Sequence, residues 1–322
     1  MTSVVTIGTF DGVHRGHQLL LSNVASRAAE LGVDAVVVTF EPIPISVLRP
    51  EVYRGRICPA EDKLRYLQMS GIDRVEVIRF TRELAVQTPE EFIGDLVDKL
   101  GMIELWVGDD FALGRNRSGN VEVLRELGKT MGYATVAIER IGTGSQPISS
   151  TAIRNAIESG DVSLAATLLG RPFRISGEVI HGAHLGRKIG FPTANFIPPP
   201  GMVPLADGIY ASYAMLPSES PPPHGKNGSL SLTGEGWGEV KLPAMTYVGN
   251  RPTVEGEDRQ IETNIFDFDG DLYGQTLTID LIQRVRADQT FDGLEALIAQ
   301  LRHDEATIRA ILESHPYQTA SD

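Results

Sequence analysis

Two imidazoles, His14 and His17, stand three residues apart where an apolar run, Val4–Ile7, gives way to a helical pattern. The segment reads Gly8-Thr9-Phe10-Asp11-Gly12-Val13-His14-Arg15-Gly16-His17. A strand-to-helix turn of this kind holds phosphate well. The free N–H groups and dipole of a helix N-terminus face the anion, and glycines let the backbone come close. Gly8, Phe10, Asp11, Gly12, His14 and His17 are therefore candidates for holding a nucleotide's phosphates. Two plainer readings stand beside this one. The imidazoles could cap a helix, or share a zinc ion, although no Cys pair or third His lies nearby and the spacing is not HExxH.

A second anion site is suggested by Ile148-Ser149-Ser150-Thr151-Ala152-Ile153-Arg154. Ser150 and Thr151 put hydroxyls at a helix start, and Arg154 adds a forked cation one turn in. An ordinary cap with a solvated Arg is the alternative. Gly108-Asp109-Asp110-Phe111 ends a strand-like run and leads into a basic, Gly-rich loop, so Asp110 and Phe111 join the candidates; a plain connection is the alternative.

Farther along, Gly182-Ala183-His184-Leu185-Gly186-Arg187-Lys188-Ile189-Gly190-Phe191-Pro192-Thr193-Ala194-Asn195 combines glycines with two cations, a composition that cradles polyphosphate. Thr193 and Asn195 are two apart on a strand and so share a face, and both offer the hard oxygens that Mg²⁺ prefers. Glu262 is a carboxylate on an otherwise apolar strand, suited to take a proton from a substrate hydroxyl, unless it simply faces solvent.

Composition narrows the classes. At 322 residues the chain is long enough for two domains. A formal net charge of −13 argues against a nucleic-acid partner, which needs a basic stripe. The single cysteine, Cys58, excludes an intrachain disulfide framework and fits a reducing compartment. No signal-peptide pattern and no apolar run of about 18 residues occurs. A cytoplasmic protein with no membrane partner is expected, and the pattern is compatible with a homo-oligomer.

The elements that position these residues follow two textures. Up to about Gly170, strand candidates Val4–Ile7, Ala35–Phe40, Arg74–Phe80, Glu104–Gly108 and Thr135–Arg140 alternate with helical patterns. Near-continuous apolar strands between helices predict a Rossmann-like α/β domain with a parallel sheet, over residues 1–170. Thr88-Pro89-Glu90-Glu91 reads as a capping box with Pro at the first helical position. Residues 171–322 show Gly177–Ile180, Gly208–Leu216, Pro243–Val248, Gln260–Phe268 and Thr276–Arg284 between turn residues, without intervening helices. That predicts an antiparallel β-barrel, closed by a C-terminal helix over about 293–314. Pro221–Gly238 reads as a long loop.

The His14–His17 segment resembles the HxGH motif of α/β nucleotidyltransferases. Taken in order with Gly108-x-Asp110-Phe111, Ser149-Ser150-Thr151-x-Ile153-Arg154, Gly170-Arg171-Pro172, Gly190-Phe191-Pro192-Thr193-Ala194-Asn195 and Gly249-Asn250-Arg251-Pro252-Thr253, the chain resembles the bifunctional riboflavin kinase/FMN adenylyltransferase family, the prokaryotic FAD synthetases. The resemblance implies a flavokinase barrel as the second domain, riboflavin, FMN and ATP as substrates, FAD as product, and Mg²⁺ as cofactor. It implies that His14 and His17 stabilise charge on the phosphates during adenylyl transfer, with Ser150, Thr151 and Arg154 opposite and Asp110 and Phe111 near nucleotide or flavin. Gly182, Gly186, Arg187, Gly190, Pro192, Thr193 and Asn195 would hold Mg-ATP in the kinase domain, with Thr193 and Asn195 as metal ligands and Glu262 as base. Four stretches depart from the family's pattern: Glu41-Pro42-Ile43-Pro44, Tyr247-Val248, Asn264, and Pro221–Gly238, which reads as an insertion. An adenylyltransferase for another phosphate substrate and a non-catalytic flavin-binding protein are the competing readings.

Overall fold

A computed structural model describes residues 2–139, 142–143, 146–182, 185–216, 240–253 and 256–314. It divides into two compact units, Met1–Ser150 and Thr151–Asp322.

In the first unit the chain runs β1 (Ser3–Ile7), α1 (Arg15–Leu31), β2 (Asp34–Glu41), α2 (Pro44–Leu48), α3 (Ala60–Gln68), β3 (Arg74–Arg79), α4 (Pro89–Leu100) and β4 (Met102–Gly108). A short ribbon, β5 (Ala112–Leu113) with β6 (Gly119–Asn120), precedes α5 (Val121–Met131) and β7 (Ala134–Ile138); a second ribbon pairs β8 (Gly142–Thr143) with β9 (Gln146–Pro147). The sheet is parallel, in the order β3-β2-β1-β4-β7. Alternation across the pleat sorts the core. Val5, Ile7, Val36 and Val38 pack with Phe92, Ile93, Leu96 and Leu124 of α4 and α5. Val4, Ala35 and Val37 pack on the other face with Leu21, Val24 and Ala28 of α1 and Leu67 of α3. Both faces are covered, which is why β1 is buried at every position. The capping box at Thr88 and Glu91 forms as expected.

The strand order reverses direction between β1 and β4. At such a switch point the loops leaving the two strands diverge and leave a crevice at their carboxyl ends. The Gly8–His17 loop leaves β1 and the Gly108–Phe111 loop leaves β4, so topology brings these two segments side by side.

The second unit contains α6 (Ser150–Ser159) from its second residue and α7 (Val162–Leu169), followed by a closed barrel. Its strands are β10 (Phe173–Ile180), β11 (Ala194–Phe196), β12 (Gly208–Leu216), β13 (Val240–Thr253), β14 (Gly256–Ile265) and β15 (Thr276–Arg286). They are joined antiparallel in the order β10-β11-β14-β13-β12-β15, and β10 pairs with β15 to close the ring. A single-turn helix, α8 (Leu185–Lys188), interrupts the barrel where no helix was expected, and α9 (Leu294–Ser314) ends the described chain. Inside the barrel, hydroxyls of Ser212, Thr246 and Thr263 satisfy one another at 2.8 and 3.0 Å. On the outer face Ile209, Tyr213 and Met245 pack against Ile308 and Leu312 of α9.

Packing divides the chain at Ser150, whereas the texture changes at Gly170. α7 makes its contacts with β10 and β15, burying Val162, Ala165, Leu168 and Leu169. Gly170 is its left-handed C-terminal cap. No helix among the described residues is long and apolar enough to cross a membrane. The expected loop Pro221–Gly238, as well as Arg140 and His184, lie outside the described residues.

Candidate active sites

In the first unit, residues from Ile7 to Ser150 enclose a cavity of about 870 Å³ at the carboxyl end of the sheet. Gly8, Phe10, His14 and His17 line it from the β1 loop, Asp110 and Phe111 from the β4 loop, and Ser149 and Ser150 from the chain leading into α6. One part of the wall is apolar, with Phe40, Ile45, Leu48, Phe80, Val86 and Phe111 offering room for a flat aromatic ligand. Arg49, Arg82, Arg115 and Arg117 also line it, a concentration of cations in an acidic chain. Such a mouth attracts polyanions.

The backbone of the β1 loop is constrained. Phe10 has φ +49° and Val13 φ +39°, a left-handed geometry that is costly for a β-branched residue. Gly12 has φ +78°, and a Cβ there would come within 2.8 Å of Ile57. The buried Asp11 carboxylate accepts from the Ile57 N–H at 3.0 Å. Asp11 and Gly12 are not among the cavity's lining residues; they fasten the loop from beneath.

His14 does cap α1, its Nδ1 accepting from the His17 N–H at 3.3 Å. The capping reading is therefore realised, but it uses one edge of the ring only. The two imidazoles stack with centroids 3.6 Å apart and an interplanar angle of 16°, and Phe10 meets His17 edge-on at 5.1 Å. Gly16 permits the stack, since a Cβ there would lie 3.2 Å from the His14 ring. His17 Nδ1 is buried without a hydrogen-bond partner. Burial, then the neighbouring His14, holds the His17 pKa well below its usual 6.5. An anion in the cavity would offset both effects by its opposite charge and favour protonation of the pair. No cluster of three or more His, Cys, Asp or Glu suited to a metal exists among the described residues.

This has a measurable consequence. Below pH 6.5 the unfolded chain binds a proton on this imidazole that the folded state refuses, so stability falls with pH through that window. The slope is at most about 1.4 kcal/mol per pH unit. Urea titrations between pH 7.5 and 5.5 should show it, and His17→Phe should flatten it. An unchanged slope in that variant would mean that His17 is protonated in the folded protein.

The second unit builds its site by register. Asn195 of β11 lies directly opposite Glu262 of β14, and Glu262 opposite Tyr247 of β13. Opposed residues in antiparallel strands point the same way, so the three form a row across the barrel's outer face. Thr193, one residue before β11, donates from Oγ1 to Glu262 Oε2 at 3.4 Å. Asn195 Nδ2 donates to the Thr193 carbonyl at 3.1 Å, and Asn195 Oδ1 accepts from Gln260 at 3.3 Å. Glu262 is half-buried rather than solvent-facing. Asn264 donates to the Pro192 carbonyl at 2.7 Å, fixing the turn that precedes Thr193.

A small cavity of about 30 Å³ is lined by Gly182, Gly186, Arg187, Pro192, Thr193, Asn195 and Tyr273. A Cβ at Gly182 would fall 2.7 Å from the Asn195 amide, and one at Gly186 would strike the Phe191 carbonyl. These glycines form a cradle that side chains would fill. Gly190 does not line it; φ +85° makes it the turn residue before Phe191. Thr193 Oγ1, Asn195 Oδ1 and the Glu262 carboxylate are hard oxygens, a donor set that fits Mg²⁺ held partly by phosphate and water.

Sequence reasoning missed Tyr273, which lines the cradle and whose ring lies 3.9 Å from that of His181, tilted by 31°. The only signal was an aromatic in an Asp/Gly turn, Asp271-Leu272-Tyr273-Gly274. It also missed α2 and α3. Pro59 followed by Glu61 and Asp62 in the first turn was a readable start for α3.

Two protein-family models match the chain, FAD synthetase over residues 1–152 and riboflavin kinase over residues 169–312. Curated bifunctional riboflavin kinase/FMN adenylyltransferases are similar nearly end to end. That of Escherichia coli K12 is 38% identical over 95% of this chain and 91% of its own length. That of Pseudomonas fluorescens is 39% identical over 96% and 92%, and that of Bacillus subtilis 33% identical over 94% and 90%. A crystal structure from Streptococcus pneumoniae, described as a macrolide-efflux protein, shares the fold with a TM-score of 0.82 at 29% identity, covering 96% of this chain and 94% of that one. With relatives of this identity matched across both units, the chain belongs to the bifunctional riboflavin kinase/FMN adenylyltransferase family.

Proposed function

We propose that this chain phosphorylates riboflavin to FMN with one ATP and adenylylates FMN with a second, releasing FAD and pyrophosphate. The observation that carries the reading is that each unit has its own cavity with chemically distinct partners. One has paired imidazoles beside an apolar wall. The other has a carboxylate beside two neutral oxygen donors.

In the second unit Glu262 takes the proton from the ribityl 5′-hydroxyl as that oxygen attacks the γ-phosphorus; the bond to the β-phosphate oxygen breaks and ADP leaves. Gly182, Gly186, Arg187 and Pro192 would hold the nucleotide, with Gly190 setting the turn. Thr193 and Asn195 would hold Mg²⁺, which when bound neutralises charge on the phosphates. In the first unit an FMN phosphate oxygen attacks the α-phosphorus and pyrophosphate leaves, with no covalent enzyme intermediate. His14 and His17, charged by the polyphosphate they bind, stabilise the growing negative charge. Gly8 lets the backbone approach, Phe10 supports His17, and Asp11 and Gly12 hold the loop's shape. Asp110 and Phe111 lie beside flavin or nucleotide, and Ser150, Thr151 and Arg154 contribute hydroxyls and a cation from the start of α6. Residues 1–170 and 171–322 divide the two activities. Both run in the cytoplasm, with no nucleic acid or membrane as partner.

Nucleotide products test the reading. Riboflavin with MgATP should release ADP, and FMN with MgATP should release pyrophosphate. ADP without pyrophosphate from FMN would leave the first unit acting on some other phosphate.

A further inference from the structure

Lys63 is a buried ammonium with no part in the chemistry above. It lies on α3 and is 1% exposed. Its Nζ sits 2.6 Å from Glu41 Oε1, donates to the Phe40 carbonyl at 2.9 Å and reaches the Thr9 carbonyl at 3.5 Å. Three oxygens thus meet its three N–H donors. Glu41 also pairs with Arg56 at 2.8 Å. Burial alone would raise the Glu41 carboxyl, but Lys63 and Arg56 hold it below its usual value.

The oxygens that Lys63 binds are significant. Phe40 and Glu41 end β2, and Thr9 belongs to the loop that carries the imidazoles. Thr39 Oγ1 donates to the same Thr9 carbonyl at 3.3 Å. In the residues that follow, Phe10 and Val13 have positive φ although neither is a glycine. Strain of this kind persists only where the surroundings fix it. Phe10 in turn supports the His17 ring edge-on.

A buried ion pair is seldom the best way to add stability, since apolar residues of similar volume serve as well or better. What an apolar side chain cannot supply is a bond to the Thr9 and Phe40 carbonyls. Lys63 is not among the residues lining the cavity, so it acts through the loop.

We propose that Lys63 is a positioning residue for adenylyl transfer, fixing the Gly8–Val13 loop in the conformation that presents His14 and His17 to the phosphates. This rests on reading the first unit as the FMN adenylyltransferase.

The test compares wild type, Lys63→Met and Glu41→Gln in the full chain; Glu41→Gln breaks the same ion cluster but leaves Lys63 its Phe40 and Thr9 carbonyls. FAD formation from FMN and MgATP is measured as kcat and KM, with riboflavin phosphorylation in the same preparation as the control for intact protein. Lys63→Met should lose about 10- to 100-fold in kcat for FAD formation, the cost of a small misplacement at a reacting centre. KM for FMN should stay within about threefold and the kinase rate should not change. Glu41→Gln should lower the melting temperature as well, yet keep kcat within about threefold. A Lys63→Met chain that forms FAD at the wild-type kcat would overturn the proposal and leave Lys63 a structural ion. Equal losses of kcat in Lys63→Met and Glu41→Gln would do the same. A wild-type chain that forms no FAD from FMN would instead overturn the adenylyltransferase reading, and this proposal with it.

Discussion

Glu262→Gln should lower riboflavin phosphorylation by about 10²- to 10⁴-fold, the range a positioned general base supplies, while FAD formation from supplied FMN continues at the wild-type rate. The amide keeps the side chain's size and its ability to accept from Thr193 Oγ1, so the cradle should survive. What is lost is a group able to take the hydroxyl proton. The row Asn195–Glu262–Tyr247 makes the effect specific, because register alone sets the carboxylate opposite the proposed metal donor. Chromatography of the flavins after each half-reaction measures it. If FAD formation from FMN falls equally, Glu262 supports the fold of the chain rather than one reaction.

His14→Asn should do the converse, cutting FAD formation by about 10²- to 10³-fold, comparable to losing one charge-stabilising donor, with FMN formation unchanged. Asparagine is chosen because His14 caps α1. Removing the cap altogether would cost about 1 kcal/mol of stability, whereas Asn is among the best N-caps and cannot become a cation. Normal FAD output from His14→Asn would reduce His14 to its capping role. The same variant should also lift the His17 pKa, because the neighbouring imidazole is one of the two causes of its depression.

Much of this was legible because the two halves obey different periodicities. β1, β2 and β4 are near-continuous apolar runs, as strands covered on both faces must be. The imidazoles, the capping box and the carboxylate on β14 were visible as residue types at fixed spacing. Their spatial partners were not. Glu262 meets Asn195 through a register that no local pattern encodes, and the β1 and β4 loops meet through strand order. Lys63 was invisible for a plainer reason: a lysine in a polar helical stretch, Ala60-Glu61-Asp62-Lys63, reads as solvated. Only the packing of α3 against the sheet shows it buried. The change of texture at Gly170 marks the cap of α7, while the packing boundary falls earlier because α7 spends its apolar face on the barrel.

The measurement that bears most directly on the account is a time course of the full chain with riboflavin and MgATP, flavins separated by chromatography. FMN should appear first, pass through a maximum and convert to FAD. Riboflavin that remains unconverted, in preparations that bind flavin tightly, would contradict the account and make the chain a flavin-binding protein.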